Sequence, residues 1–282
     1  MKLLRFGEKG QERPGCLDEG GIIRDLSGVT QDFAGPTVSL SALEALKGVD
    51  LSGLPAVDPG ARIGCCLAWV PNFLCVGLNY SKHAAETGAE PPKEPILFNK
   101  TSSALSGPFD PVVIPKDSTK TDWEVELGVV IGRDVEHVSE AEALDCVAGY
   151  CTINDVSERA FQIERGGQWT KGKSAPTFGP TGPWLVTADE VADPQALDVW
   201  LKVNGQMQQN SNTSDMIFSV AEIVSYMSRF MRLQAGDVIA TGTPEGVGMG
   251  QSPQKWLQPG DVVELGVQGL GDQRQDVLAY SG

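Results

Sequence analysis

The chain has 282 residues, of which 41% are hydrophobic, and this predicts a folded protein with a sizeable core rather than a disordered one. The formal net charge is −15 and no run of Lys or Arg stands out, so we expect no nucleic-acid-binding surface. No apolar stretch approaches the ~18 to 20 residues that span a bilayer, and the start of the chain is not of signal-peptide type, so we expect neither a membrane span nor a secretory leader.

The first 70 residues differ from the rest of the chain in their residue pattern. Residues 3–6 indicate a first strand, residues 18–21 a hairpin turn, and leucines at helical spacing over residues 40–46 a helix. A loose stretch rich in Gly, Pro and Asp follows, and we place a boundary there. The sequence thus predicts a small β-rich N-terminal domain over residues 1–70 and a larger domain over residues 71–282.

From residue 73 onward, short strands outnumber helices. Asn204-Gly205 is typical of a type I′ hairpin turn. Capping boxes are predicted at Ser139-x-x-Glu142 and at Ser219-x-x-Glu222, and the second begins the best helix, whose apolar stripe extends to Phe230 and Met231. Many strands, few helices and 33 glycines predict a β-rich α+β architecture.

The six cysteines are scattered and form no C-x-x-C pair. With only two histidines in the chain, a zinc site of the Cys/His type is not expected. Scattered cysteines with apolar neighbours fit reduced thiols, and we therefore predict a cytoplasmic protein.

Two acids interrupt the apolar segment around residue 125. Side chains alternate along a strand, so Glu124 and Glu126 point to one face and Val125 and Leu127 to the other. Two buried carboxylates repel each other, and a hard cation such as Mg²⁺ or Mn²⁺ relieves that repulsion. The alternative is an edge strand whose acidic face is solvated.

Asp155 follows the apolar strand segment CTIN and favours the metal interpretation. A carboxylate at the end of a neighbouring strand would complete a face of three carboxylates, with water and substrate filling the other octahedral positions. An Asp at this place can also cap the following helix, and the two roles are compatible.

His83 and Glu86 stand three residues apart in SKHAAE, so on a helical turn they share a face. A carboxylate that holds an imidazole fixes its tautomer and raises its basicity, which suits a general base. The alternative is an incidental pair on an exposed helix start. The other histidine, His137, is predicted to be exposed among polar neighbours.

Taken in order, six stretches resemble the fumarylacetoacetate hydrolase family, and together they cover most of residues 73–250. They are GLNYSKHAAE, PILFNKTSSALSGP, DWEVELGVVIG, INDVSERAFQ, KGKSAPTFGPTGP and GDVIATGTPEGVG. Six such motifs in the right order are far more specific than any one of them. The segment INDVSERAFQIERGGQWTKGKS most resembles bacterial members that hydrolyse 2,4-diketo-3-deoxy sugar acids and are often labelled ureidoglycolate lyase.

The resemblance implies a mixed β-sheet roll and a homodimer as the basic unit, with pairing into a tetramer left open. It also implies Mg²⁺ or Mn²⁺ as the cofactor and a small anionic oxo-acid as the substrate. The implied metal ligands are Glu124, Glu126 and Asp155. The implied water-activating pair is His83 and Glu86, on a segment that orders with substrate. The other implied site residues are the active-site lysine Lys173, the substrate-facing Arg159 and Gln162, the carboxylate-side contact Thr243, and the substrate contacts Tyr80 and Lys100.

Two positions depart from the family pattern. Pro176 stands where many relatives have Asp, which puts in doubt any anchoring of Lys173 by that position. Ala160 replaces a common Asp after Arg159, so another group must orient Arg159 here.

These expectations combine into a metal-dependent hydrolase that breaks the C3–C4 bond of a 2,4-diketo acid. The closest resemblance indicates a 2,4-diketo-3-deoxy sugar acid of the L-rhamnonate or L-fuconate type, which would give pyruvate and L-lactate. Alternatives are an oxaloacetate decarboxylase or tautomerase and another acylpyruvate hydrolase. A non-catalytic scaffold on the same fold is a third class, disfavoured because the chain keeps His83, Glu86 and Lys173.

Overall fold

Strands make up most of the regular structure in the computed structural model, which describes residues 1–281. The strands are β1 (Lys2–Phe6), β2 (Arg13–Leu17), β3 (Ile23–Asp25), β4 (Phe73–Gly77), β5 (Ile96–Lys100), β6 (Leu105–Ser106), β7 (Val112–Val113), β8 (Thr121–Asp122), β9 (Val125–Ile131), β10 (Val147–Asn154), β11 (Ser157–Glu158), β12 (Gly179–Pro180), β13 (Leu185–Thr187), β14 (Asp198–Val203), β15 (Gln206–Asn212), β16 (Val238–Ala240), β17 (Val262–Val267) and β18 (Gly271–Leu278).

The helices are short. The α-helices are α1 (Leu40–Lys47), α2 (Ser81–Glu86), α3 (Glu140–Ala143), α4 (Arg159–Ile163), α5 (Thr170–Lys173) and α6 (Val220–Met227). Single 3₁₀ turns lie at Gly35–Val38, Leu51–Gly53, Ser102–Ala104, Leu144–Cys146, Ala188–Glu190, Thr213–Asp215 and Gly248–Gly250. Within residues 1–281, no helix has both the length and the apolar character that crossing a membrane requires.

Two sheets organise the described residues. The larger has nine strands in the order β3-β2-β1-β13-β10-β9-β16-β4-β5, in which β16 and β4 run parallel and all other neighbours antiparallel. The smaller has the order β15-β14-β17-β18-β7 and is antiparallel except for β18 and β7. Mixed sheets with few short helices confirm the predicted β-rich α+β class.

The central strand β9 separates two apolar clusters. Val125, Leu127 and Val129 pack in one cluster with residues of β14, β17 and α6. Val130 belongs to the second cluster, to which β1 and α1 contribute. The alternation predicted from the sequence is therefore correct, and Glu126 projects to the same side of the sheet as Val130.

The first 70 residues share both sheet and core with the rest of the described chain. Strand β1 pairs with β13, so β1 to β3 extend the nine-stranded sheet. Leu3 and Leu43 lie in the same apolar cluster as Phe73 and Val130. The division into domains at residue 70 stays a prediction.

Two predictions from local sequence, a hairpin turn and a capping box, are confirmed. Asn204 and Gly205 have φ values of 51° and 73° and join β14 to β15. Ser219 Oγ accepts from Glu222 N at 3.2 Å and Ser219 N donates to the Glu222 carboxylate at 2.7 Å, so the predicted box is present. Two details were wrong. Ser139 donates to the Glu142 carboxylate and makes no side-chain cap, and Phe230 lies beyond α6 and is exposed.

The two serines give a matched test of capping. Ser219→Ala should lower the free energy of unfolding by about 1 kcal/mol, because Glu222 N loses its partner at the start of α6. Ser139→Ala should change it by less than about 0.5 kcal/mol, since no backbone group depends on that hydroxyl. Urea unfolding followed by circular dichroism measures both, and equal losses would refute the capping role of Ser219.

Candidate metal centre

The centre lies where four neighbouring strands of the large sheet reach one edge. Strands β10, β16 and β4 end there and β9 begins there, because β9 runs antiparallel to both β10 and β16. The register pairs Ile153 with Glu126, and Asp155 N donates to Glu124 O at 2.9 Å. Strand pairing therefore sets Asp155 beside the two glutamates that precede and begin β9.

Three carboxylates meet at this edge as the alternation pattern predicted. Oxygens of Glu124, Glu126 and Asp155 all lie within 4.8 Å of one another. All three side chains are buried, which excludes the alternative of a solvated acidic face. Asp155 begins no helix directly, because Val156 and the short strand β11 separate it from α4.

Buried cations surround two of these acids. Lys173 Nζ donates to Glu124 at 2.7 Å and to Asp155 at 2.6 Å, and Arg159 Nη2 donates to Glu124 at 2.6 Å. Lys100 Nζ donates to Asp155 as well. Burial alone would raise the pKa of Glu124, but the positive charges of Lys173 and Arg159 hold it below its usual range.

Glu126 is the exception. Its carboxylate accepts one backbone N–H, from Gly242 at 2.8 Å, and forms no ion pair with a described residue. Burial raises the pKa of Glu126 well above its usual value, and the negative charges of Asp155 and Glu124 add to the effect. A buried carboxyl of this kind takes up a proton unless a cation lies beside it, so a bound metal ion would favour its ionised form.

A divalent cation fits this cluster. Including Asp122, four buried carboxyl groups face the three cations Lys100, Arg159 and Lys173, so the described residues carry one negative charge when all four are ionised. Oxygen-only ligands at this spacing suit Mg²⁺ or Mn²⁺. Adding two positive charges would leave a net single positive charge, which a monoanionic substrate would neutralise. The donor set therefore fits the predicted metal.

The histidine pair lies across the same cavity. Helix α2 holds His83 Nδ1 3.2 Å from Glu86 Oε2, and Gly246 N donates to Glu86 Oε1 at 3.0 Å. His83 is buried, so the expected alternative of an exposed, incidental pair does not apply to it. In the tautomer that donates Nδ1–H to Glu86, Nε2 is the proton acceptor, and His83 lines the cavity.

Asp122 is a site residue that our sequence reasoning missed. It is fully buried, accepts from Arg159 Nε at 2.8 Å, and also accepts from Gly248 N and Met249 N. It therefore orients Arg159, the role that the departure at Ala160 left open. The signal was present, since Asp122, Glu124 and Glu126 follow one period of two along the chain.

Lys173 reaches the centre because α5 packs unusually close to α4. A Cβ atom on Gly172 would lie 2.4 Å from Glu158 O and 2.6 Å from the Gln162 backbone N, so only glycine fits there. Two carboxylates anchor Lys173 directly. Its position thus does not depend on residue 176, where Pro replaces the family's Asp.

The other predicted contacts are distributed around the same edge. Gln162 Oε1 accepts from Arg159, and both line the cavity. Thr243 also lines it, but its hydroxyl is engaged with Gln209 and with Val125 O. Tyr80 is fully buried with its hydroxyl unpartnered among the described residues, and it does not line the cavity.

Comparison with known proteins gives consistent matches. Residues 72–278 match the family model described as fumarylacetoacetate (FAA) hydrolase, C-terminal. A protein of Burkholderia orbicola, provisionally named a hydrolase, is 57% identical over 276 residues, with 98% of each chain covered.

Solved structures agree in fold. A fumarylacetoacetate hydrolase from Exiguobacterium antarcticum has a TM-score of 0.85 at 36% identity, covering 99% of this chain and 100% of that one. A maleylpyruvate hydrolase from Sphingobium sp. SYK-6, in complex with manganese(II) and pyruvate, has a TM-score of 0.82 at 30% identity with both chains fully covered. At these identities and coverages the likeness extends over the whole chain.

Glu126→Gln tests the metal centre without leaving a cation unpaired. The change should weaken Mn²⁺ binding by at least about 100-fold, because a ligand contributes more than its supporting groups do. The metal-free protein should unfold at an equal or higher temperature, since burial and the charges of Asp155 and Glu124 disfavour an ionised carboxylate at this position and a neutral amide avoids that cost. Isothermal titration calorimetry and thermal unfolding measure these effects.

Glu164→Gln is the matched control, because Glu164 is an exposed carboxylate that pairs with Lys120 outside the centre. That variant should bind Mn²⁺ as the parent does. An unchanged dissociation constant in Glu126→Gln would remove Glu126 from the ligand set.

Proposed function

Because this chain belongs to the fumarylacetoacetate hydrolase family, we propose that it is a metal-dependent hydrolase of 2,4-diketo acids that releases pyruvate. One juxtaposition carries the proposal. A set of three carboxylate ligands and a His83–Glu86 pair line or adjoin one cavity, so a metal-bound oxo-acid and an activated water can meet there.

The charged part of the cavity suits the oxo-acid end of such a substrate. When bound, Mg²⁺ or Mn²⁺ supplies Lewis-acid polarisation of the 2-oxo group and favours the departure of an enolate. The amide nitrogen of Gln162 donates to no described residue, since its Oε1 alone is engaged with Arg159. It is therefore available to a substrate oxygen.

The histidine pair supports hydrolysis rather than simple tautomerisation. His83 Nε2 takes a proton from water while the water oxygen forms a bond to C4, and Glu86 stabilises the resulting imidazolium. The C3–C4 bond then breaks and its electron pair passes to C3, giving the enolate of pyruvate, which takes a proton. The second product is the carboxylic acid derived from the acyl group.

We assign Lys173 as the donor to the oxyanion that forms at C4, because its ammonium has a third N–H beyond the two that Glu124 and Asp155 accept. It is buried and lines the cavity, and the charges of Asp155 and Glu124 raise its pKa although burial alone would lower it. It therefore remains an ammonium at neutral pH. One such preorganised donor contributes about 3 kcal/mol to the transition state.

The finer proposal concerns the substrate and the assembly. The segment INDVSERAFQIERGGQWTKGKS supports a 2,4-diketo-3-deoxy sugar acid of the L-rhamnonate or L-fuconate type, giving pyruvate and L-lactate. A homodimer, a tetramer as its possible pairing, and a cytoplasmic location are further proposals that rest on the resemblance. Light scattering of the purified protein tests the oligomeric state.

Pyruvate release from such a diketo acid should be fast with Mg²⁺ or Mn²⁺ and should stop with EDTA, because the substrate end is held through the metal. Oxaloacetate assayed in parallel should turn over more slowly than the diketo acid, because its decarboxylation and tautomerisation make no use of a water activated by His83. Turnover of oxaloacetate alone would indicate an oxaloacetate decarboxylase or tautomerase instead.

His83→Ala should lower hydrolysis by about 10² to 10⁴-fold, because the general base is lost. Mn²⁺ affinity should stay at the parental value, since the carboxylates are untouched. His137→Ala is the matched control, because the second histidine lies outside the cavity, and it should keep full activity. An unchanged rate in His83→Ala would contradict the assigned base.

A further inference from the structure

The cavity over the carboxylates has a volume of about 230 Å³ and is lined by two chemically different sets of side chains. The first set, here called the charged part, consists of the acids and cations already described. The second set, here called the apolar part, consists mainly of aliphatic and aromatic side chains. The larger ones are Leu78, Phe98, Ile163, Trp169 and Met249. A substrate held by its oxo-acid end in the charged part must place its acyl tail in the apolar part.

Two aromatic rings form a wall of the apolar part. Trp169 and Phe98 pack edge to face with centroids 5.2 Å apart, an attractive arrangement for aromatic rings. A Cβ atom on Gly77 would lie 2.5 Å from Trp169 Cζ3, so the indole lies directly on the backbone at the end of β4. Lys173 Nζ lies 4.9 Å from the Phe98 centroid, which joins this wall to the charged part.

Leu78 adds to the wall at a backbone cost. Its φ of 52° lies in the left-handed region, which a leucine adopts rarely and at a cost of about 1 kcal/mol or more. That conformation holds an apolar side chain at the cavity surface directly after β4. Strain of this kind is found where a site requires one particular shape.

The two cations that line the cavity are each paired with two carboxylates of the charged part. Arg159 is bound to Asp122 and Glu124, and Lys173 is bound to Glu124 and Asp155. Among the described lining residues, none is a further Lys or Arg. A second carboxylate on the tail would lose its hydration without gaining a partner, which is costly.

One hydroxyl group is available beside the apolar part. Thr87 lines the cavity, and its Oγ1 donates toward the carbonyl oxygens of His83 and Ala84 at 3.1 Å each. Its lone pairs are therefore free to accept one hydrogen bond from a ligand. This suits a tail with a hydroxyl group.

We propose that the apolar part selects diketo acids whose acyl tail is short and ends in an uncharged apolar group, and rejects tails that end in a second carboxylate. This rests on the proposed function and narrows its substrate class. The tail of a 6-deoxy sugar acid meets the condition, because it carries one hydroxyl and ends in a methyl group. Dicarboxylate substrates do not meet it.

The test uses two 2-oxo acids of six carbons that differ only at the far end. 2-Oxohexanoate ends in a methyl group and 2-oxoadipate in a carboxylate, and neither has the 4-oxo group that hydrolysis requires. Calorimetric titration into the Mg²⁺-loaded protein should give at least about tenfold tighter binding of 2-oxohexanoate, the lower end of what one apolar group contributes in a fitted pocket. Equal or tighter binding of 2-oxoadipate would overturn the proposal.

A charge placed in the apolar part should reverse the preference. Ile163 is 51% exposed at the cavity surface, so Ile163→Arg can be accommodated without unfolding and supplies the missing cation. This variant should bind 2-oxoadipate at least as tightly as 2-oxohexanoate. Phe230→Arg is the matched control, because Phe230 is 64% exposed and lies outside the cavity, and it should keep the parental ratio. A parental ratio in Ile163→Arg would show that the tail lies elsewhere.

The proposed hydrolysis and the proposed selection of the acyl tail can each fail without the other. Acylpyruvates ending in methyl and in carboxylate, assayed for pyruvate release, report on hydrolysis, whereas the 2-oxo acids report on binding alone. If no diketo acid is cleaved while the binding preference holds, the hydrolase assignment fails and the tail assignment stands. If the carboxylate-ended diketo acid is cleaved with an equal or higher kcat/KM, the tail assignment fails and the hydrolase assignment stands.

Discussion

The unequal charges buried at the edge of the large sheet are the constraint on which the site depends. Each of the three cations Lys100, Arg159 and Lys173 pairs with at least one carboxylate, and Glu126 pairs with none. Ion pairs buried this deeply are costly to form, because both charges lose their hydration. They are stable only where each charge is fully paired and hydrogen-bonded. Here every cation has a carboxylate partner, and the carboxylate without a cation partner is Glu126. It lies beside Glu124 and Asp155, which can bind a metal ion together with it.

Strand register sets the relative positions of these acidic side chains. Pairing of β9 with β10 sets Asp155 against Glu124, and pairing of β9 with β16 brings the Gly242 N–H to Glu126. Because these strands lie at the centre of a nine-stranded sheet, a shift of one residue would turn the acids to the opposite, fully apolar face. The two apolar clusters on either side of β9 therefore fix the positions of the ligands as firmly as any polar contact does.

Much of this could be predicted from the sequence, where the signal is local. The period of two at Glu124 and Glu126, the turn at Asn204-Gly205 and the capping box at Ser219 each involve neighbours within a few residues, and each was found in the structure. The box predicted at Ser139 failed although its spacing is identical. There the serine hydroxyl bonds the Glu142 carboxylate, and spacing alone does not distinguish the two outcomes.

Long-range pairings could not be predicted in the same way. Arg159 and Asp122 are 37 residues apart, and Lys100 and Asp155 are 55 apart. Nothing in either local sequence names the partner, and only the resemblance to a family directed attention to Arg159 and Lys100. Of the residues in the apolar part of the cavity, the sequence singled out only the loop of residues 166–169, as a candidate for tail specificity. The other residues are far apart in the chain and follow no common pattern.

Gly77 has a consequence for how such a scaffold diversifies. Its missing side chain is what lets the Trp169 indole rest on the backbone, so any larger residue there would displace the indole, although Gly77 itself contributes no acid, lysine or histidine to the site. If the aromatic wall contacts the acyl tail as proposed, a substitution at position 77 would change the acyl preference through a residue that has no functional group. In this architecture, the reaction and the substrate preference would therefore change through different positions of the chain.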